Sequence, residues 1–418
     1  LLLVEADTGK VIHAERATHP WYPASVTKIM TLYVTLRAVK EGRISLDTLL
    51  TVSPTAAAQA PSKMGFKPGT QVTVDNALKM LMVKSANDMA VVLAEGIAGS
   101  VEDFAAEMNR TAQRLGMTQT TYVNPNGLPA EGQVTSARDL AILARALMRE
   151  FPEHSLYWSI PAIKLGRRVM RNTNRLMTLY PGTNGMKTGF ICASGFNIVA
   201  TAARNGKQLI AVVLGSHSAA ARNQKAAQLL EKGFNRGMLE WLTPSYGSLD
   251  SLVPVAATPP NLREEICGKA RGRPPAEDTD DTPVADNNEP GSQFALAQTF
   301  QLHRGLPPVT LQPQPPSMPP VVVYVGPGKK PAQVAGKDKG TIAAASTPTD
   351  AAASKPQRTA ARLGASNLPS SGFVPGVTSP ALAYTNTENA ASPGAIEPAV
   401  PLPRPRPKGR AKHPASSR

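Results

Sequence analysis

Ser25 and Lys28 stand three residues apart in Pro23-Ala24-Ser25-Val26-Thr27-Lys28, so on a helix the hydroxyl and the amine share a face. A serine is a weak nucleophile until a base within hydrogen-bond reach takes its proton, and a lysine kept neutral by burial or by nearby cations can be that base. The N–H groups at a helix start would also favour developing negative charge. Two further sets follow along the chain: Ser85-Ala86-Asn87, where one helical pattern stops and the next begins, and Lys187-Thr188-Gly189, just ahead of a strand pattern. Each has an ordinary reading when taken singly. Ser25 and Lys28 can lie on a solvated helix face, Ser85 or Asn87 can be an N-cap, and Lys187 can be an edge-strand lysine that discourages aggregation. Read together, in this order on helix, loop and strand, they form a serine-nucleophile constellation with a substrate-facing cation.

The elements that must position these residues are legible around them. Leu2–Glu5 and Lys10–Ala14 flank Asp7-Thr8-Gly9, which predicts an opening β-hairpin. From Ala24 to about Lys40, Ile29, Met30, Leu32, Tyr33 and Leu36 recur at helical spacing, predicting a largely buried helix. Further helices are predicted over Asp75–Val83, Ala86–Ile97, Val101–Leu115 and Ser136–Met148. Phe196–Ala203 and Gln208–Leu214 read as strands joined through Arg204-Asn205-Gly206-Lys207, and Ser218–Leu242 as a closing amphipathic helix. This succession describes one α/β (α+β) domain over residues 1–245.

Composition then changes sharply. Of 39 prolines, 28 follow Tyr246. Residues 246–418 are rich in Pro and Ala with too little apolar surface to offset chain entropy, so a mostly disordered tail is expected, with Pro319–Val325 its sole strand-like patch. The net charge of +15 suits an anionic partner, but no nucleic-acid-binding motif is present and the few aromatics are not interleaved with Lys and Arg, so no nucleic-acid partner is expected. No run of 18 or more apolar residues argues for a spanning helix. The first residue is Leu1, not Met, so removal of a preceding targeting segment is anticipated. Cys192 and Cys267 imply no disulfide framework and are expected as unpaired thiols. The six histidines lack metal-ligand spacing, and Asp88, Arg138 and Asp139 read as caps or ion pairs.

Ser-x-x-Lys, Ser-x-Asn and Lys-Thr-Gly in this order characterise penicillin-binding proteins and class A β-lactamases. Over Leu2 to Trp241 the chain resembles the D-alanyl-D-alanine carboxypeptidase family of serine peptidases, the low-molecular-mass penicillin-binding proteins. The likeness extends to Asp7-Thr8-Gly9-Lys10-Val11, Lys67-Pro68-Gly69, Ser85-Ala86-Asn87-Asp88-Met89-Ala90, Asn124-Pro125-Asn126-Gly127-Leu128, Asp139-Leu140-Ala141, Gly185-Met186-Lys187-Thr188-Gly189-Phe190 and Gly195-Phe196-Asn197-Ile198-Val199-Ala200. The resemblance implies a penicillin-binding-protein/β-lactamase-like transpeptidase fold, with an antiparallel sheet flanked by helices and a helical subdomain.

It also implies roles. Ser25 would be the acylated nucleophile, Lys28 its general base, and Ser85 a proton relay to the leaving D-alanine amine. Asn87 would position the substrate amide, Lys187 would supply positive charge, and Thr188 with Arg222 would grip the terminal carboxylate. Gly189 completes the Lys-Thr-Gly motif, and the backbone N–H groups of Ser25 and Phe190 would form the oxyanion hole. No metal or organic cofactor is implied. The substrates would be peptidoglycan stem peptides, the covalent inhibitors β-lactams, and the location the periplasm or cell envelope after export.

The pattern departs from the family beyond the catalytic region. The small β-rich domain and the membrane-lying amphipathic helix that commonly follow are not legible, so wall or membrane contact through the basic Pro401–Lys408 stretch has no anchor helix behind it. A D,D-endopeptidase of the same family would use the same Ser25 machinery. A β-lactamase is disfavoured because no Glu-x-x-Leu-Asn segment is present and the second motif is Ser-Ala-Asn. A non-catalytic wall-binding module would have no need of a nucleophile beside its base.

Overall fold

The opening hairpin pairs β1 (Leu2–Glu5) with β2 (Val11–Ala14), and β1 continues into the main sheet instead of ending it. The computed structural model describes residues 1–235, 246–268 and 306–327. The chain divides into two units, Leu1–Ala335 and Gly336–Arg418, and every described residue lies in the first.

A helical region follows the hairpin. A short 3-10 turn, Ala24–Thr27, leads into α1 (Lys28–Lys40), and α2 (Pro54–Ala57) sits between β3 (Leu49–Thr51) and β4 (Gln71–Thr73), which pair with each other. Then come α3 (Val74–Val83), α4 (Asn87–Ala98), α5 (Val101–Leu115), α6 (Ala137–Glu150) and the single turn α7 (Leu156–Ser159). Their starts are specified locally. Thr73, Ser100 and Ser136 each accept a hydrogen bond from the backbone N–H three residues on, which satisfies a donor that the helix itself leaves unpaired. In α1 every residue from Lys28 to Ala38 except Arg37 is buried, so this helix is the axis of the domain.

The chain returns to sheet with the hairpin β5 (Ala162–Leu165) and β6 (Arg168–Arg171), then β7 (Thr183–Ile191), β8 (Gly195–Arg204) and β9 (Lys207–Ser216). The main sheet is antiparallel in the order β2-β1-β9-β8-β7, with β7 at one edge. Along β9, Leu209, Ala211 and Val213 face one core while Ile210 and Val212 face the other. That alternation is the pleat of a strand buried on both faces. On one face the sheet packs against α8 (Ala219–Phe234) through Leu229 and Leu230, and on the other against the helical region through Ile29, Leu140 and Leu143. A sheet with helices on both faces and a helical region beside it is the α/β (α+β) arrangement expected.

Three features differ from the sequence reading. The last long helix ends at Phe234, and residues 236–242 of the predicted helix lie outside the described residues. Cys192 and Cys267 are joined in a disulfide, which corrects the expectation of two thiols: with a sequence separation of 75 and one cysteine in a proline-rich stretch, spacing carries no pairing signal. Segments 246–268 and 306–327, expected within a mostly disordered tail, pack on the domain, and the strand-like patch read at Pro319–Val325 contains β10. Leu249 and Ile266 are buried, α9 (Arg263–Cys267) carries one end of the disulfide, and β10 (Val321–Val323) pairs in parallel with β5. The remainder of the tail lies outside the described residues. No described helix is long and apolar enough to cross a membrane.

The disulfide ties the β7–β8 turn to α9, and disulfides typically stabilise by about 2–4 kcal/mol. Cys267→Ser is expected to lower Tm by roughly 4–16 °C, the scale for a domain of about 150–250 residues. Identical melting of oxidised and fully reduced wild type in calorimetry would mean that the bond contributes nothing.

Candidate active site

Ser25 lies in the 3-10 turn that precedes α1, and Lys28 is the first residue of that helix, so the three-residue spacing turns both side chains the same way. Lys28 Nζ lies 3.0 Å from Ser25 Oγ, 2.7 Å from Asn87 Oδ1 and 2.6 Å from the carbonyl oxygen of Asn126. Lys28 has no exposed surface, and burial holds its amine well below the ordinary lysine pKa. The nearby charge of Lys187 pushes it down further, and Asp88 pulls the other way. A neutral amine has two hydrogens and one lone pair. Donating the hydrogens to Asn87 and Asn126 leaves the lone pair facing Ser25, which is the arrangement a proton acceptor needs.

Asn87, the first residue of α4, is brought to Lys28 by the turn between α3 and α4, and Ser85 lies in that turn. Ser85 sits there at a φ of 62°, a left-handed conformation that is uncommon for a residue with a side chain. Ala24, next to Ser25, has a φ of 50°. Backbone outliers at one motif serine and beside the other are the kind of local strain that surrounding structure must hold in place. That structure is present: Asn87 donates from Nδ2 to Ala60 O and from its N–H to Ser62 O, and the Asp88 carboxylate accepts from the N–H groups of Met64 and Gly65. Asp88 is therefore a structural anchor, as its sequence context indicated.

Lys187, Thr188 and Gly189 lie within β7, on a strand as their place in the helix, loop and strand order suggested, with the strand beginning before them at Thr183. Lys187 is buried, so it does not serve as a solvated edge lysine. Its Nζ donates to Thr188 O at 3.1 Å and to Thr173 Oγ1 at 3.4 Å, and Thr188 Oγ1 bonds Thr173 Oγ1 at 2.9 Å. Gly189 lets the strand approach Ser25: a Cβ there would lie 2.8 Å from Ser25 N and 2.9 Å from Val26 N. Phe190, whose backbone follows this contact, stacks its ring on Phe196. Arg222 lies in the first turn of α8, buried, with its guanidinium on Asn223 Oδ1. It is not the exposed helix-start arginine that its sequence context allowed.

Sequence reasoning did not single out three residues that complete the arrangement. Asn126 contributes a backbone carbonyl, positioned because Thr31 binds the preceding carbonyl of Pro125 and because Gly127, at a φ of 85°, has no Cβ to strike the Ala24 carbonyl. The Asn124-Pro125-Asn126-Gly127 segment stood out as part of the family likeness, with no role attached, since a carbonyl contact does not depend on side-chain type. Thr173 lies in no motif at all. Asn197 donates to Tyr22 O and Pro23 O and accepts from Gly215 N, fastening the Ser25 turn to the sheet. Beside that turn is a cavity of about 320 Å³ lined by Tyr22, Ala24, Leu128 and Ile191, among others. No group of acidic, histidine or cysteine side chains that could hold a metal occurs among the described residues.

The comparisons with known proteins agree on one family. Its characteristic sequence pattern, D-alanyl-D-alanine carboxypeptidase of the Peptidase S11 class, matches residues 1–218. DacF from Bacillus subtilis, a D-alanyl-D-alanine carboxypeptidase, is 34% identical over 240 residues, which is 56% of this chain and 61% of that protein. DacC from Escherichia coli, another, is 37% identical over 250 residues, 58% and 62% of the respective lengths. The chain thus spans about three fifths of the length of these curated relatives. Penicillin-binding protein D2 from Listeria monocytogenes, solved with cefotaxime bound, is 30% identical, with a TM-score of 0.52 over 56% of this chain and 96% of that one. With its motifs on the expected elements and more than half its length matched by the family pattern, this chain belongs to the D-alanyl-D-alanine carboxypeptidase family of peptidases.

Proposed function

We propose that the protein is a serine D-alanyl-D-alanine carboxypeptidase that removes the terminal D-alanine of peptidoglycan stem peptides and is acylated by β-lactams. The observation that carries this reading is the buried Lys28 amine, 3.0 Å from Ser25 Oγ and fixed on its other sides by Asn87 and Asn126. Ser25 Oγ attacks the carbonyl of the penultimate D-alanine while its proton passes to Lys28. A C–O bond forms, and the backbone N–H groups of Ser25 and Phe190 hold the oxyanion. Lys28, through Ser85, returns the proton to the amide nitrogen, the C–N bond breaks, and D-alanine leaves. Water then attacks the ester and regenerates Ser25, releasing the shortened stem.

Asn87 orients the substrate amide, and Lys187 and Thr188, with Arg222, bind the terminal carboxylate. An extended stem peptide laid along the edge of β7 would place its backbone against Lys187–Phe190. The cefotaxime-bound form of the Listeria neighbour supports β-lactam binding by this chain. A peptidoglycan substrate supports a location in the periplasm or cell envelope. A domain boundary near Ser245, with the following segments as attachments to the catalytic domain, is part of the same proposal.

Intact mass after mixing with benzylpenicillin, beside D-alanine release from diacetyl-Lys-D-Ala-D-Ala, tests this reading. A single adduct and D-alanine release are expected in wild type, with both lost in Ser25→Ala and turnover falling roughly 10⁴-fold or more. No adduct would overturn the reading, and an adduct without D-alanine release would redirect it to cross-bridge hydrolysis.

Lys28 acts as a base only when neutral, so kcat/KM should rise with pH through a limb placed well below the ordinary lysine range. Lys187→Gln removes the like charge that depresses Lys28, so Lys28 should titrate later and the limb should move to higher pH. A limb that keeps its position in the variant would show that the base is a different group.

A further inference from the structure

Residues 306–327 form a strap across the segment that carries Thr173. It begins with Leu306, buried against the core under α8, and Gln224 of that helix donates from Nε2 to Val309 O. The N–H groups of Gln312 and Gln314 then donate to Leu179 O and Thr178 O at 3.2 and 2.7 Å. Further on, β10 lies in parallel register on β5, with Val321 opposite Ile163 and Val323 opposite Leu165, and Val323 is 1% exposed. Past β10, Tyr324 N donates to Asn76 Oδ1 and Gly326 N to Gln71 O.

The strap therefore holds residues 160–179 at two places, the β5 edge and the turn at Thr178–Leu179. Thr173 lies between them. It lies two residues past the end of β6, is 5% exposed, and is tied to the domain by its N–H on Val83 O. Asn172 beside it donates from its N–H to Pro161 O and from Nδ2 to Ile160 O, which links Thr173 to the start of β5. The Thr173 hydroxyl touches both Lys187 Nζ and Thr188 Oγ1. A hairpin with strands of four residues is marginal alone, and a third strand with a buried valine makes it persistent.

We propose that the strap 306–327 is a positioning element for the active site: by clamping residues 160–179 it fixes the Thr173 hydroxyl, and through it the alignment of Lys187 and Thr188. This rests on the carboxypeptidase reading, in which those two residues receive the substrate carboxylate. Composition fits the task. Eight of the 22 residues of the strap are proline, so it gives up little backbone freedom on docking.

The test uses full-length protein, with sites counted by saturating benzylpenicillin label and rates measured at 25 °C. Two strap variants are made: Val323→Asp, which places a charge in the buried contact, and Gln314→Pro, which deletes the N–H that binds Thr178. Thr173→Val removes the hydroxyl itself. Each should lower kcat/KM per labelled site by roughly tenfold to a hundredfold, the scale of a small misplacement of a binding group. Because strap and hydroxyl act in series, adding Gln314→Pro to Thr173→Val should lower it less than twofold further. A synthetic peptide of residues 306–327 should restore activity to Val323→Asp. Unchanged kcat/KM per site with a lower Tm, or losses that multiply in the double variant, would overturn the proposal and leave the strap as a stabiliser. Should Val323→Asp not fold, Gln314→Pro and its double variant decide the question. Wild type that neither labels nor releases D-alanine would instead sink the carboxypeptidase reading.

Discussion

A lysine amine with no access to water is the interaction on which the rest of this structure depends. Burying an ammonium without a full set of partners is expensive enough that a buried lysine tends to lose its proton instead. Lys28 sits among one carboxamide, one backbone carbonyl and one hydroxyl, with Lys187 adding positive charge nearby. Two acceptors and a hydroxyl suit a neutral amine. The same burial that would weaken a structural lysine is what makes this one a usable base beside Ser25.

Keeping that amine dry dictates the surroundings. The first two turns of α1 must be enclosed on all sides, which explains why Ile29, Met30, Leu32 and Tyr33 carry no exposed surface. The turn at Pro125–Gly127 must close over the helix start, and it does so through the hydroxyl of Thr31 and the amine of Lys28 itself. The α3–α4 turn must bring Asn87 across, at the cost of a left-handed Ser85. On the fourth side the edge strand β7 comes close enough that only glycine fits at position 189. A helix, two turns and a strand edge, separated widely in sequence, are thus fixed by one requirement.

Much of this was legible in the chain because it is written in side chains with a period or a fixed spacing. The buried faces of α1, α5 and α6 follow from apolar recurrence, and Ser25, Lys28, Ser85, Asn87 and Lys187 stand out by type and order. What was not legible depends on backbone groups or on distant partners. The Asn126 carbonyl has no side-chain signature. Thr173 matters because of where β6 ends, and β3 to β6, at three or four residues each, are too short for alternation to register. The Cys192–Cys267 bond joins positions whose separation encodes nothing about contact.

The proline-rich region shows where composition misleads. A segment poor in apolar residues is read as disordered because it cannot offset its own conformational entropy. That reasoning assumes ordinary residues, each with much freedom to lose. In Leu306–Pro327 the prolines have already surrendered most of it, so a few anchors suffice: Leu306 and Val323 for burial, and the N–H groups left between prolines for pairing. Gln312 and Gln314 alternate with Pro313 and Pro315, so the donors that remain are spaced two apart and reach consecutive carbonyls of the domain. A sequence of this kind is better judged by the positions of its remaining N–H donors and apolar anchors than by its overall polarity.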